Sequence, residues 1–110
     1  EFYNGTGWLP LGAYANVVVT ANGTTLKNKE QAFCNTTGGA FTITLPSSPV
    51  QGDTVRIFDV ANTFDTSNLT IDRNGNPIMG DAANMTVSTE GAAFEMVFYD
   101  GVQGWRIITI

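Results

Sequence analysis

The fold class of this chain is decided by residues 41–59, which read FTITLPSSPVQGDTVRIFD. Apolar Phe41, Ile43 and Leu45 alternate with threonines, which is the period-2 pattern of a half-buried β-strand. A proline ends that run, because proline has no backbone N–H to donate to a neighbouring strand. After a Gly-Asp turn the alternation resumes over residues 54–60. The stretch therefore predicts two strands that return close together through a tight turn.

Similar short segments recur along the chain, and turn residues separate them at intervals of about ten positions. This spacing is typical of an all-β sandwich or barrel. We expect a small antiparallel β-sandwich or barrel-like module with short strands. The one helical candidate, residues 26–30, is too short to form a stable helix. The predicted strands are residues 15–20, 31–35, 40–45, 54–60, 69–72, 77–79, 85–87, 93–99 and 105–110.

One motif occurs twice, near the start and near the end of the chain. Residues 2–8 read FYNGTGW and residues 98–105 read FYDGVQGW. A motif that both precedes and closes a unit indicates a module from a tandem array. The alternative is that both are aromatic hairpins with Asn-Gly and Asp-Gly turns. We expect residues 1–12 to be the end of a preceding module or a linker, and residues 13–110 to be a single β-module.

The end of the chain predicts a closing hairpin. Residues 93–99 and 105–110 should pair antiparallel around a turn at Asp100-Gly101. Because the loop exceeds two residues, we expect a bulge near Gly104.

Composition excludes several functional classes. Histidine is absent, which removes His-based catalytic triads and most zinc sites. The five Lys and Arg residues are scattered and the net charge is −5, so nothing resembles a nucleic-acid-binding stripe. No apolar run reaches the length of a membrane span. The single cysteine, Cys34, fits a small buried hydrophobe better than a reactive thiol. We predict no nucleic-acid partner and no membrane insertion.

Carboxylates are the remaining candidates for chemistry, and most of them lie in or beside turns, where Asp caps its own backbone. Asp59 differs because it follows Ile57 and Phe58 inside a predicted strand, and we expect it to accept backbone hydrogen bonds from the loop at residues 61–68. Residues 72–76 read DRNGN, which is similar to a calcium loop. Its glycine is in the fourth place and Ala83 stands where a bidentate Glu is needed, so a hairpin turn explains it better. We predict no enzymatic activity, no metal and no cofactor.

Three stretches carry a resemblance to a known family: residues 36–59, residues 69–80, which read LTIDRNGNPIMG, and residues 98–105. Over roughly residues 32–110 the chain resembles the β-rich modules of tail-fibre and baseplate-associated structural proteins of tailed phages. The resemblance implies a non-enzymatic virion tail protein and a homotrimer. Its implied partners are other tail or baseplate proteins and a host-surface glycan. Its structural motif positions here are Pro46, Gly52, Asp53, Asp59, Asn74, Gly75, Gly80 and Trp105.

A carbohydrate-binding module of a secreted bacterial protein is the alternative, and a glycan-degrading tailspike fragment is a third option that lacks convergent acids. The alternative requires exposed aromatic side chains, but no strand carries an outward row of them. Trp8 and Trp105 occupy the same position in the repeated motif, which indicates a packing role for both and not a ligand-binding role. A charged fraction of only 14% favours burial of surface between identical chains. The aromatic candidates are Trp8, Tyr14, Phe64, Tyr99 and Trp105.

Overall fold

The computed structural model of the protein describes residues 2–3, 8–9 and 13–109. Within these residues the regular elements are all β-strands, and no helix is long and apolar enough to cross a membrane. The prediction of an all-β fold is confirmed. The strands are β1 (Phe2–Tyr3), β2 (Trp8–Leu9), β3 (Ala15–Val19), β4 (Thr24–Thr25), β5 (Glu30–Cys34), β6 (Phe41–Thr44), β7 (Thr54–Asp59), β8 (Leu69–Asp72), β9 (Met85–Val87), β10 (Ala93–Asp100) and β11 (Gly104–Thr109).

Two mixed sheets form the body of the molecule. The five-stranded sheet has the order β11-β10-β7-β5-β3, and the four-stranded sheet has the order β4-β6-β8-β9. β1 and β2 pair with each other as a separate antiparallel ribbon. Over the described residues the two sheets keep free edges and do not close into a barrel.

The prediction of an antiparallel sandwich is wrong for the first half of the module. From β3 to β8 the chain alternates between the sheets, so each strand meets the strand two places earlier in the same direction. The pairs β3–β5 and β5–β7 are parallel in one sheet, and β4–β6 and β6–β8 are parallel in the other. Antiparallel pairing begins only with β9, β10 and β11.

The turn at residues 45–53 is the source of this error. It was predicted to return the chain beside the strand that it leaves, but β6 and β7 belong to different sheets. The turn therefore carries the chain across the core. Alternation of apolar residues is the same in parallel and antiparallel strands, so the pattern alone did not distinguish the two connections.

Two local predictions also differ from the structure. β4 was missed because it is only two residues long. Residues 77–79 form no strand, since Met79 and Gly80 have φ angles of 53° and 78°, in the left-handed region. Ile78 keeps isolated bridges to Asp81 and Trp105 instead.

The core lies between the two sheets. Inward positions alternate with outward ones as the sequence predicted, for example at Phe41 and Ile43 in β6 and at Val55 and Ile57 in β7. Cys34 is fully buried, and burial raises the pKa of its thiol to about 12, with the Asp59 carboxylate adding to the shift. The thiol is therefore inert, which fits its reading as a small hydrophobe.

The closing hairpin is confirmed. β10 and β11 pair antiparallel, with Phe98 opposite Trp105 and Asp100 opposite Gly104. The extra residue of the bulge is Tyr99, on the strand that faces Gly104. One Asp100 carboxylate oxygen accepts hydrogen bonds from the backbone nitrogens of residues 102 and 103 at 2.9 and 2.6 Å, which stabilises the turn.

Candidate functional site

The motif residues at the turn between β6 and β7 fasten this turn to β10. Gly52 has a φ of 93° and its backbone nitrogen donates to the Phe98 carbonyl oxygen at 2.9 Å. The Phe98 nitrogen in turn donates to the Asp53 carbonyl oxygen at 2.9 Å. The Asp53 carboxylate accepts from the Val50 nitrogen at 3.0 Å, and Pro46 is buried beneath the turn. These residues join distant parts of the chain.

Asp59 anchors the loop that follows β7, as its position in the sequence predicted. Its carboxylate accepts from the backbone nitrogens of Thr63, Phe64 and Gly91 at 3.1, 3.0 and 2.9 Å. Burial raises the pKa of this carboxyl, but the backbone donors, led by Phe64 and Gly91, outweigh burial and leave the pKa below its ordinary value. The loop bends inward and buries the Phe64 ring completely.

Asn74, Gly75 and Gly80 occupy turns. Asn74 and Gly75 have φ angles of 51° and 89°, and the Asn74 amide nitrogen donates to the Leu45 carbonyl oxygen at 2.9 Å. The Gly80 nitrogen donates to the Gln103 carbonyl oxygen at 2.9 Å. In the described part of the chain no group of three potential ligands could hold a metal ion. Apart from Pro46 and Asp53, which line the same cavity, the motif positions are spread over the fold.

Trp105 belongs to the core. Its side chain is fully buried and packs edge-on against Phe98 with ring centroids 5.3 Å apart. Phe64 is also buried, whereas Tyr99 is 52% exposed on the opposite face of β10 from Phe98. The side chain of Trp8 lies outside the described residues. Of the aromatic residues singled out from the sequence, Phe64 and Trp105 therefore belong to the core and not to a binding surface.

A surface that the sequence did not predict lies on the outer face of the five-stranded sheet. The strand register places Val18 of β3 beside Phe33 of β5, Phe33 beside Phe58 of β7, and Phe58 beside Ala93 of β10. The Phe33 and Phe58 rings are 5.4 Å apart and half-buried, and Val18 is 74% exposed. We call these four residues the apolar row.

A polar row runs parallel to the apolar row, one step toward the start of β7. Asn16, Gln31, Arg56 and Glu95 are successive partners across β3, β5, β7 and β10. The Gln31 amide nitrogen donates to the Asn16 side-chain oxygen at 2.6 Å. The Arg56 guanidinium pairs with the Glu95 carboxylate at 3.1 Å.

Tyr14 covers the end of this polar row. Its hydroxyl group donates to the Glu95 carboxylate and is hydrogen-bonded to the Thr54 hydroxyl group at 2.8 Å, and the Arg56 guanidinium lies 4.0 Å from the ring centroid. Burial raises the pKa of Glu95, but the Tyr14 hydroxyl and the Arg56 guanidinium outweigh it and hold that pKa below its ordinary value. The pKa of Tyr14 is raised, by burial first and then by the Glu95 carboxylate.

The outer face of the four-stranded sheet has a different character. The register aligns Thr42, Thr70 and Thr86 in one row, and Thr25, Thr44 and Asp72 in the next. Methyl and hydroxyl groups that alternate over a sheet face suit contact with water. The two outer faces therefore contrast, since only the five-stranded sheet presents a contiguous apolar strip.

The sequence alone shows that the residues of the apolar row point outward, but it does not show that they are neighbours. Phe33 and Phe58 alternate with inward residues, which marks each of them as outward. Their adjacency depends on the parallel pairing of β5 with β7, and an antiparallel reading does not place them side by side.

Comparisons with known proteins add no family to this geometry. No protein-family model matches the chain, and no curated protein shows significant similarity to it.

Proposed function

We propose that this chain is a structural β-module of a tailed-phage tail fibre or baseplate-associated appendage, that it assembles as a homotrimer, and that it takes part in host attachment. The observation that carries the proposal is the apolar row on the outer face of the five-stranded sheet. The resemblance of the sequence to tail modules supplies the biological setting.

The apolar row supports self-association because its side chains expose apolar surface to water and do not pack in the core. Val18, Phe33 and Phe58 form a strip flanked by hydrogen-bonding side chains, which is the apolar-core and polar-rim arrangement of protein interfaces. Full burial of an exposed apolar side chain contributes about 1.5–3 kcal/mol, and the half-buried Phe33 and Phe58 contribute less than this because part of each ring is already covered. A contact among three copies around an axis buries the strip on every chain at once.

The free sheet edges support assembly further. β3 and β11 end the five-stranded sheet, and β4 and β9 end the four-stranded one. The edge of β11 is free only in part, because residues 77–79 hydrogen-bond to it at Trp105. Free strand edges carry unpaired backbone groups that favour pairing with other chains. A module in an ordered appendage can cover such edges with neighbouring modules or protomers.

The state of the carboxylates supports a non-enzymatic role. Asp59 binds three backbone nitrogens, and Glu95 binds Arg56 and Tyr14. Both carboxylates are committed to structural contacts.

A carbohydrate-binding module remains the second candidate, and one specific observation favours it. Phe33 and Phe58 lie side by side on the sheet surface with Gln31 and Asn16 nearby, and aromatic rings beside amides can contact the apolar face of a sugar. This candidate uses the same surface as the trimer contact, so solution mass separates the two.

Sedimentation equilibrium of the parent chain and of a Phe33→Ser/Phe58→Ser variant tests the proposal. We expect a trimer for the parent at micromolar concentration and a monomer for the variant. Thr42→Ser/Thr70→Ser, on the opposite sheet face, is the matched control and should remain trimeric. A folded parent monomer that binds glycans through Phe33 and Phe58 would favour the carbohydrate-binding module.

A further inference from the structure

A concave site lined by several polar side chains lies away from the apolar row. It is a cavity of about 310 Å³ between the turn that joins β4 to β5 and the turn that joins β6 to β7. We call it the turn pocket. It lies at the start of β7, whereas Phe58 lies near the end of that strand. A ligand in the turn pocket therefore does not compete with a contact at the apolar row.

The floor of the turn pocket is apolar. Leu26 is 1% exposed and Pro46 is buried, and both line the cavity. The Leu26 backbone nitrogen donates to the Thr44 carbonyl oxygen at 2.8 Å, which holds this residue against the four-stranded sheet. A rigid apolar floor offers contact to the C–H face of a ring but gives no hydrogen bonds.

The rim of the pocket is polar and is held in place by the backbone. Thr54 N donates to the Asn28 side-chain oxygen at 2.9 Å, and Val50 N donates to one Asp53 carboxylate oxygen at 3.0 Å. Each contact binds one oxygen of a planar side-chain group and so fixes the orientation of that group. The Asn28 amide nitrogen and the second Asp53 oxygen take no part in these two contacts. These groups are pre-organised before a ligand arrives.

Two further groups complete the rim. Lys27 and Ser47 are exposed and line the same cavity. The Lys27 backbone nitrogen donates to the Glu30 carboxylate at 2.7 Å, which fixes the start of this turn. The rim thus combines an ammonium and an amide as donors with a carboxylate as acceptor and a hydroxyl that can do both.

We propose that the turn pocket binds one pyranose residue of a neutral glycan. The apolar floor fits the C–H face of the ring, and the mixed donors and acceptors fit adjacent hydroxyl groups. The cavity lies at the lower end of the size range of ligand sites, which suits a single small ring. The opposite charges of Lys27 and Asp53 disfavour a phosphate or another strongly anionic ligand. The inference rests on the proposed role in host attachment for its biological meaning.

An NMR titration of the parent chain tests the proposal. The probes are the methyl glycosides of glucose, galactose and mannose, and N-acetylglucosamine, each added to tens of millimolar because a ligand this small binds weakly. We expect at least one probe to shift the backbone amide signals of Lys27, Asn28 and Asp53 along a saturable curve. No response of these amides to any of the four sugars would overturn the proposal.

Variants separate the pocket from the rest of the module. Asp53→Asn keeps an oxygen for the Val50 N–H and should weaken binding about tenfold, because it removes the charged acceptor. Ser47→Trp should abolish binding by filling the pocket, and Ser88→Trp, an exposed serine outside it, should bind as the parent does. Parent-like titrations of both pocket variants would also refute the site.

Failure of this inference is distinguishable from failure of the proposed assembly. Phe33→Ser/Phe58→Ser should still bind the sugar while losing the trimer. Loss of sugar binding in that variant would place the sugar on the apolar row and contradict the turn pocket.

Discussion

Gly104 lies directly against Pro77: a Cβ atom on residue 104 would stand 1.8 Å from the Pro77 carbonyl oxygen, to which the Trp105 backbone nitrogen donates at 2.9 Å. Gly104 also has a φ of 67°, in the left-handed region. The contact joins the closing hairpin to the segment after β8, and only a residue without a side chain permits it.

Gly104→Ala should therefore destabilise the module by about 3 kcal/mol or more, because it adds a steric clash to an unfavourable backbone conformation. Urea unfolding measures the loss. Gly101→Ala is the matched control, since Gly101 lies in the same hairpin with open space around its Cβ direction and a φ outside the left-handed region. Equal losses for the two variants would contradict this explanation.

Trp105→Ala should lower the free energy of unfolding by about 3–5 kcal/mol, because it empties a fully buried site beside Phe98. Trp105→Phe should cost less, since it keeps most of the ring and removes an indole N–H that has no acceptor within the described residues. Tyr99→Ala, at the exposed neighbouring position, should stay close to the parent. Thermal and chemical unfolding check all three, and a parent-like Trp105→Ala variant would show that the indole is not part of the core.

Asp59 should make stability depend on pH in the acid range. Its pKa is lower in the folded chain than in the unfolded one, so its contribution is complete above the ordinary value of about 4 and is lost as the pH falls through the lowered value. Asp59→Asn should cost about 2 kcal/mol at neutral pH and flatten the acid dependence. Asp65→Asn, exposed in the same loop, is the control for the loss of one charge. Unfolding midpoints that fall equally with pH in Asp59→Asn and the parent would argue against this role.

Tyr14→Phe should remove the hydroxyl group that donates to Glu95 and is hydrogen-bonded to Thr54, while it keeps the ring under Arg56. We expect the Glu95 pKa to rise, because a donor to its charged form is lost, and stability to fall by about 1 kcal/mol. NMR titration of the Glu95 carboxyl carbon reads the first effect. Tyr99→Phe should leave that titration unchanged; a Glu95 pKa that stays constant in Tyr14→Phe would mean that Arg56 alone sets it.

The sequence predicted which residues face inward far better than it predicted which strands are neighbours. Phe41 and Ile43 alternate with threonines whatever strand lies beside them, so burial could be read locally. Pairing depends on where each turn sends the chain, and the turn after Pro46 crosses between sheets rather than returning. The closing hairpin was predictable because its two strands are adjacent in sequence and share one short turn.

The candidate surfaces also divide into features that the local sequence predicts and features that depend on strand pairing. The sequence singles out Asp59 because it lies inside a predicted strand just before a polar loop, and its hydrogen bonds to Thr63 and Phe64 are local. Phe33 and Phe58 were visible only as isolated outward residues, because their contact requires the parallel register of β5 and β7. The turn pocket needs two turns that are separated by two strands, β5 and β6, and no local pattern indicates their convergence.

The crossing connections between β3 and β8 have a consequence for how the chain reaches its fold. Parallel neighbours that are separated by a strand of the other sheet give the module a high contact order, so we expect slow folding compared with a simple meander. β7 gains its second neighbour only when β10 docks. During synthesis on the ribosome, β7 is therefore an open edge until the last hairpin emerges. When several copies are synthesised close together, the open β7 edges of neighbouring nascent chains can pair with one another during this interval.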